Sequence, residues 1–585
     1  MKPFFISALI LFSAAGVLAE DNIETTIPVI TVTASAQNAH NAGVADALRA
    51  VPGVTVNSSG GSIHDISIRG SSFSAAGLSL GGLTLRSPQT EHFAAELPVP
   101  AAMLSRPKVN TGIDNQGGHL TGTMNFDPLP ITGKRQIEAG FGADDRDWQS
   151  LLVQHMLTAE FGAGVFAGRD SANGVDYSDN DYDREYAGGQ LQFRTDDAQV
   201  DFIAIHQQKE FGARGYYGVN DAIPAKETLK ETMAFLSATK GDVQNDYLRA
   251  GMLWREIYDD YRMPGYRNKH RTRISSAFVD GRTMEVNGWA LGGRVDVDEE
   301  RVASRSLGHH HRTRGGISLL PQWRGDRWKF IAGLRSEFFT GESPEYLPQA
   351  GVDFLISDHL TAFASYNETV RLPSYTELSY NIPGANVGNA ALKPQTEQQS
   401  EIGLKGIPSE FMDWKASAFY RRSKHTIDWV QYAGDSTWRA TDIGALDTYG
   451  LEAQLNWYPA ENLETQLTYT LVYKDKKATD LAGGYASRYA LDYPEHLIQG
   501  SLLWRPLNAI EIGTVQALRL QTANHARSGS DFGVDSSLVI RCTPAKFKPA
   551  TVSLLFSNIW DNDFEFLPGQ RRAEHYAGVS LTLNW

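Results

Sequence analysis

The chain predicts an all-β transmembrane barrel, with 22 antiparallel strands expected and a small N-terminal α+β domain in its lumen. Three observations carry this. The last nine residues alternate without a break: Ala577, Val579, Leu581, Leu583 and Trp585 fall on one side, and Gly578, Ser580, Thr582 and Asn584 on the other. A strand with one apolar and one polar wall is what a barrel between lipid and a wet lumen requires. The front end reads as a removable export signal over residues 1–19, with Lys2, the apolar run Ile6 to Leu18, and Val17-Leu18-Ala19 before Glu20. No other stretch approaches a transmembrane helix, and only helices and closed barrels satisfy their backbone in lipid.

Composition agrees. The 585 residues include 54 Gly, 12 Trp and 23 Tyr, with a net charge of −14. Loss of Lys2 with the signal makes the mature chain one unit more acidic, which argues against nucleic acid as a partner. Cys542 is the single cysteine, so no internal disulfide forms.

The wall is read over residues 132–585. Leu451, Ala453, Leu455 and Trp457 alternate with Glu452, Gln454 and Asn456. After a polar turn at 459–462, Leu463, Thr465, Leu467, Tyr469 and Leu471 alternate with Glu464, Gln466, Thr468 and Thr470, which makes a hairpin with matching apolar faces. Trp414, Ala416, Ala418 and Tyr420 repeat the pattern, as do Leu191 and Phe193. Val200 to His206 alternates badly and leaves its register open. The connections are of two kinds. Residues 195–197 and 459–462 are short; Asp170 to Glu185, Gln208 to Glu231, Arg371 to Gln399 and Lys474 to Pro494 are long and polar. Short turns at one end and long loops at the other match a barrel with periplasmic turns and external loops. At roughly 10 residues per strand, 22 strands use about half of this region; sixteen strands with longer loops fit the same count.

Residues 37–131 read differently. Val44 to Val54 is a short helix pattern stopped by Pro52-Gly53. Small Gly-rich segments follow at 63–72, 78–92 and 119–129, too polar for a lipid-facing wall. A globular domain ahead of a wide barrel suggests a plug in the lumen.

In these motifs the chain resembles the TonB-dependent outer-membrane receptors. Val29-Ile30-Thr31-Val32-Thr33-Ala34, within a segment 20–36, is similar to the TonB box. Asp46 to Val54, Ile68-Arg69-Gly70 and Gly122 to Phe126 resemble plug motifs. In the barrel, Arg371 to Ser374 with Glu377-Leu378, then Gly388-Asn389, Leu392 to Pro394 and Glu401 to Gly403, resemble a family signature, and Ser557 to Asp561 with Leu567 to Gln570 resemble its closing segment. Three departures stand out. Gly81-Gly82 replaces the usual Asp-Gly, Arg106-Pro107-Lys108 replaces Arg-Gly-Pro, and the chain ends on Trp585 rather than Phe. The stretch between the box and Asp46 is also short, so the plug is abbreviated.

The resemblance implies active import across the bacterial outer membrane, powered by TonB, of a scarce bulky nutrient. Cobalamin is favoured over a ferric siderophore or haem. A β-branched segment flanked by polar chain can add as a strand to a partner's sheet edge, which is how the box would engage TonB. A monomeric barrel set in outer-membrane lipid is expected, with no required cofactor. Asp170, Asp176, Asp179, Asp181 and Asp183 place hard oxygen ligands in one external loop, suited to calcium, and cobalamin receptors of this family resemble that arrangement. Tyr216-Tyr217, with Asp221, offers aromatic cargo contacts in the next loop. His309-His310-His311 could not all face one metal from a strand, where neighbours point apart, and between Gly308 and Arg312 they are read as a loop or turn. No Ser/His/Asp or Cys/His set commends an enzyme. A passive channel or adhesin is the competing class, and it would need neither box nor plug.

Overall fold

The computed structural model describes residues 44–59, 62–174, 179–218, 223–243, 245–382, 385–475, 485–524, 526–562, 564–571 and 575–585. The N-terminal domain begins with helix α1 (Val44–Leu48). The chain leaves it through Gly53, at φ +66°, where an added Cβ would come within 2.5 Å of the Glu452 carboxylate. Only glycine meets both demands. A hairpin follows, β1 (Val54–Ser59) with β2 (Ile63–Ile68). Next come β3 (Ala76–Leu80), β4 (Leu83–Leu85), β5 (Lys108–Thr111) and β6 (Gly122–Phe126), a four-stranded sheet in the order β4-β3-β6-β5. Gly81 and Gly82, at φ +52° and +85°, join β3 to β4 in a two-residue turn of the type that needs positive φ at both positions. The Gly-Gly departure therefore keeps the hairpin.

The wall opens with β7 (Arg135–Gly142), β8 (Asp147–Met156), β9 (Phe161–Ala172), β10 (Tyr182–Arg194) and β11 (Ala198–Gly212). It continues through β12 (Lys226–Gly241), β13 (Tyr247–Met263), β14 (Tyr266–Arg282), β15 (Trp289–Ser304) and β16 (Gly308–Arg324). Among the described residues, 22 antiparallel strands close into one barrel. The last strand, Tyr576–Asn584, seals the seam by pairing Ser580 with Gly140 of β7. Outward apolar side chains such as Leu451, Leu467 and Ile402 are exposed, while Glu452, Gln466 and Glu401 face the lumen. A charge on the lipid side costs about 2–4 kcal/mol at mid-membrane, and the alternation avoids it.

Two expectations need correcting. The connections read at 170–185 and 208–231 are shorter than expected: β9 runs to Ala172, β10 starts at Tyr182, β11 runs to Gly212 and β12 starts at Lys226. These strands continue above the lipid, where outward polar side chains are solvated, so the loss of apolar residues marks the membrane boundary and not the strand end. The second concerns His309 to His311, which open strand β16 instead of forming a loop. The turn before them spans only 305–307, so pairing resumes at once, with Ala303 opposite His309 and Arg301 opposite His311.

The register of β11 is also settled. Asp201, Ile203, Ile205 and Gln207 face inward and Phe202 and Ala204 outward. Ile203 and Ile205 pack into one core with Leu78, Leu80, Leu83 and Phe126 of the N-terminal domain. Both faces of β11 are apolar there, one toward lipid and one toward the plug, which erases the alternation.

Polar anchors complete the seating of the plug. Arg69 bridges Glu401 at 2.9 Å and Glu452 at 2.8 Å, and Arg86 meets Asp298 at 3.0 Å. Gln499 accepts from the Gly53 N–H at 2.9 Å and donates to the Val51 and Val54 carbonyls at 3.2 and 2.9 Å. Thr369 donates its hydroxyl to the Leu120 carbonyl at 2.9 Å.

Candidate functional site

The external end of the plug is two short turns, at 70–74 and 86–93, and the wall's external loops close over them. The family-like segment Arg371 to Glu377 does much of this work. Arg371 ends a wall strand, and Ser374 caps helix α2 (Tyr375–Ser379) in a full capping box with Glu377. Arg371 also pairs with both oxygens of Glu377 at 3.1 Å. The first helical N–H groups have no partner within the helix. Here Tyr375 and Thr376 donate theirs to the Pro88 and Gln89 carbonyls of the plug, at 2.9 and 2.8 Å. Loop and plug apex are thereby joined through main chain.

Around this joint the loops build a further five-stranded sheet from Asn381–Ile382, Asn386–Val387, Trp438–Asp442, Ile427–Tyr432 and Tyr485–Ser487. Asp428 ties it together. Its carboxylate accepts from the Ser487 hydroxyl, from the Trp429 N–H at 2.8 Å and from the Tyr489 N–H at 3.1 Å. Burial pushes the Asp428 carboxyl up to about 6.

Between plug apex and loops lies a cavity with about 950 Å³ of free space, part of it open to solvent. Its wall is aromatic: Phe73, His92, Tyr217, Tyr380, Trp429 and Tyr489 all face it. Phe73 stacks on His92 at 4.2 Å and meets the edge of Tyr489 at 4.9 Å. His92 is held from behind by Asp65 at 2.8 Å. The lining holds four acids, Glu227, Asp259, Glu377 and Asp428, against one guanidinium, Arg488, and burial beside Asp259 holds the Glu227 carboxyl well up. Arg371 offsets Glu377 only. Several buried polar atoms of the lining have no hydrogen-bond partner among the described residues: Asn268 Oδ1, Asn386 Oδ1, His270 Nδ1 and Arg488 Nη2. Leaving such groups dry costs about 1–3 kcal/mol each, so these atoms are open to partners from water or from a bound molecule.

The residues singled out in the sequence divide. Tyr217 lines the cavity, at φ +54°, and donates its hydroxyl to Glu227 at 2.8 Å. Burial, next to the Glu227 carboxylate, pushes the Tyr217 phenol well up. Tyr216 does not reach the cavity; it is buried with Ile63, Phe93 and Phe211. The carboxylates read for calcium have other partners. Asp179 pairs with Arg214 at 3.0 Å, Asp183 with Arg169 at 2.8 Å, and Asp181 accepts from the Gly174 N–H at 3.0 Å. Asp170, on β9, pairs with Arg146. Asp176, Asp221 and Val29 to Ala34 lie outside the described residues. Of the three histidines, His310 alone turns inward, stacked on Tyr375 at 4.5 Å. The cavity residues contributed by 427–438 and 488–489 carry no local motif; only the folding of separate loops brings them together.

Comparison with known proteins completes the description. A family model for the β-barrel of TonB-dependent receptor-like proteins matches residues 104–549, and one for the TonB-dependent receptor plug domain matches 21–116. The vitamin B12 transporter BtuB of Vibrio vulnificus is 20% identical over 468 residues, covering 74% of this chain and 73% of that protein. Among solved structures, the FrpB iron transporter of Neisseria meningitidis superposes with a TM-score of 0.74 at 13% identity, over 95% of this chain and 98% of that one. The copper transporter OprC gives 0.73 at 15% identity, over 92% and 95%. The ferric enterobactin receptor PfeA of Pseudomonas aeruginosa gives 0.74 at 12% identity, over 94% and 97%.

Proposed function

Because the chain belongs to the TonB-dependent receptors, transporters of the outer membrane and not enzymes, we propose that its cargo is cobalamin or a close corrinoid. The observation that carries this is the charge of the mouth. A polyanionic ferric catecholate would meet one guanidinium, Arg488, beside the Asp259 and Asp428 carboxylates, with Glu377 already offset by Arg371, so it would enter against Coulomb repulsion in a partly desolvated site. Cobalamin instead presents apolar macrocycle faces, a fringe of amides and a single phosphodiester. The aromatic wall suits the faces, Asn268 Oδ1 and Asn386 Oδ1 suit amide N–H donors, and Arg488 Nη2 suits the one anionic group. The likeness to a vitamin B12 transporter points the same way.

In this reading Val29 to Ala34 is the segment gripped by TonB, and pulling it unseats the plug beneath the loaded mouth. Calcium in the second external loop would have to displace Arg214 from Asp179 and Arg169 from Asp183. A calcium dependence of cargo binding would report that exchange. The test is a titration of the purified receptor with cyanocobalamin and, separately, with ferric enterobactin, each with and without calcium. Corrinoid binding below micromolar with none for the catecholate is expected. The reverse order would overturn the cargo assignment and leave the transporter reading intact.

A further inference from the structure

On the outer surface of the barrel, one panel breaks the chain's acidic balance. The outward positions of β14 read, from the membrane upward, Val279, Ala277, Ser275, Arg273, Arg271, Lys269 and Arg267. Inward positions between them, such as Asn268, His270 and Thr272, are buried. The switch from apolar to charged occurs at the same height on the neighbours. On β13, Met252 and Trp254 give way to Glu256, and on β15, Val295 and Val297 give way to Glu299 and Arg301. Register sets further cations beside these. Arg301 lies opposite Arg273, while Arg262 lies between Arg267 on β14 and Lys226 on β12. Lys230 shares a row with Arg271, across Tyr258.

Adjacent strands are about 4.8 Å apart and outward neighbours about 6.7 Å along a strand, so this is a dense flat array. It holds eight lysines and arginines against Glu256, Asp260 and Glu299, with Glu210 at its β11 edge, on a chain whose net charge is −14. Glu256 engages Arg271 and Arg273, and Asp260 engages Arg262 and Arg267. Lys226, Lys230 and Lys269 have no ion-pair partner among the described residues. The arginines remain near half exposed: Arg267 at 48%, Arg271 at 49% and Arg301 at 61% of the side chain.

We propose that this panel is a docking site for the phosphorylated headgroup of an outer-leaflet glycolipid. Position decides among anions. The array faces away from the lumen, so it cannot guide cargo, and it sits directly above the apolar belt, where lipid phosphates lie. Guanidinium forks and ammonium groups spaced over three strands match phosphates presented side by side, and each such surface cation adds about 1 kcal/mol toward an anionic lipid surface. The site is independent of the cargo.

The test uses the full chain purified in detergent and exposed to lipid A, to dephosphorylated lipid A, and to inorganic phosphate, with bound lipid read by native mass spectrometry. The variant Lys230→Gln/Lys269→Gln/Arg271→Gln/Arg301→Gln keeps the lumen side untouched, and Lys240→Gln, at the opposite rim, is the control. The expected result is retention of lipid A by the native chain and the control. The variant and the dephosphorylated lipid should each lose at least ~100-fold, since every removed cation weakens binding about five-fold. Equal retention by native chain and variant overturns the proposal. So does equal retention of the dephosphorylated lipid, or displacement of lipid A by millimolar inorganic phosphate, which would make this a free-phosphate site.

Discussion

Arg69 sits where the plug, the wall and the family-like Ile-Arg-Gly motif meet, with both of its carboxylate partners on the barrel and side-chain exposure of 6%. Replacing it with Gln leaves Glu401 and Glu452 buried without their shared cation. Breaking a buried pair from one side costs about 3–5 kcal/mol, so Arg69→Gln should make the plug cleavable by protease at denaturant concentrations that leave the native plug intact. Unchanged resistance would show that the apolar core and the other anchors hold the plug without Arg69. Asp428 gives a pH signature. Its folded value of about 6 lies above the ordinary 3.8, so the closed loop sheet binds the proton more tightly than the opened one. Stability of that sheet is therefore greatest below 3.8, falls as pH rises toward 6 and stays lower above it. Amide exchange at Trp429 and Tyr489, corrected for intrinsic rates, should be slower at pH 5 than at pH 7.5, and Asp428→Asn should remove the difference. Sequence reasoning reached Arg69 and Tyr217 because each sits in a recognisable local pattern. It missed Asp428 and Arg488 because each gains its meaning from a loop distant in the chain.

At the level of elements, the joint between α2 and the plug apex is the consequential one. Two main-chain bonds connect Tyr375 and Thr376 to the turn at 86–93, so the loop that covers the cavity is tied directly to the plug. Loss of the Ser374 cap costs about 1 kcal/mol. Ser374→Ala should therefore loosen α2 and raise the cargo off-rate without changing the amount of receptor in the membrane, as read by stopped-flow dissociation. An unaltered off-rate would detach this helix from cargo retention. The wall strands were legible wherever lipid faced one side and lumen polar groups the other, as at 451–457 and 577–585. They were illegible in two physical settings. Where plug core meets wall, at Ile203 and Ile205, both faces are apolar; farther up the same strand, at 206–210, both are polar. The five-stranded loop sheet is beyond local reading altogether, since its strands come from three separate loops.

For the whole molecule, chain order becomes mechanism. The seam strand ending at Asn584 pairs with β7, which begins just after the plug, so the barrel closes around the domain that precedes it. One end of the closed wall is finished in short turns and the other in the loop-covered cavity. Counting residues left sixteen strands as open as 22, whereas the barrel and the plug were readable from pattern and motif order, because period two, export signal and Gly-rich segments are local properties. The chemistry of the mouth was not, because it is a sum over loops. The most direct measurement is uptake of radiolabelled cyanocobalamin by cells whose only route for it is this chain, comparing the full chain with a deletion of 28–34. Uptake should vanish in the deletion while surface binding of the label persists. Uptake that survives the deletion would contradict energised import.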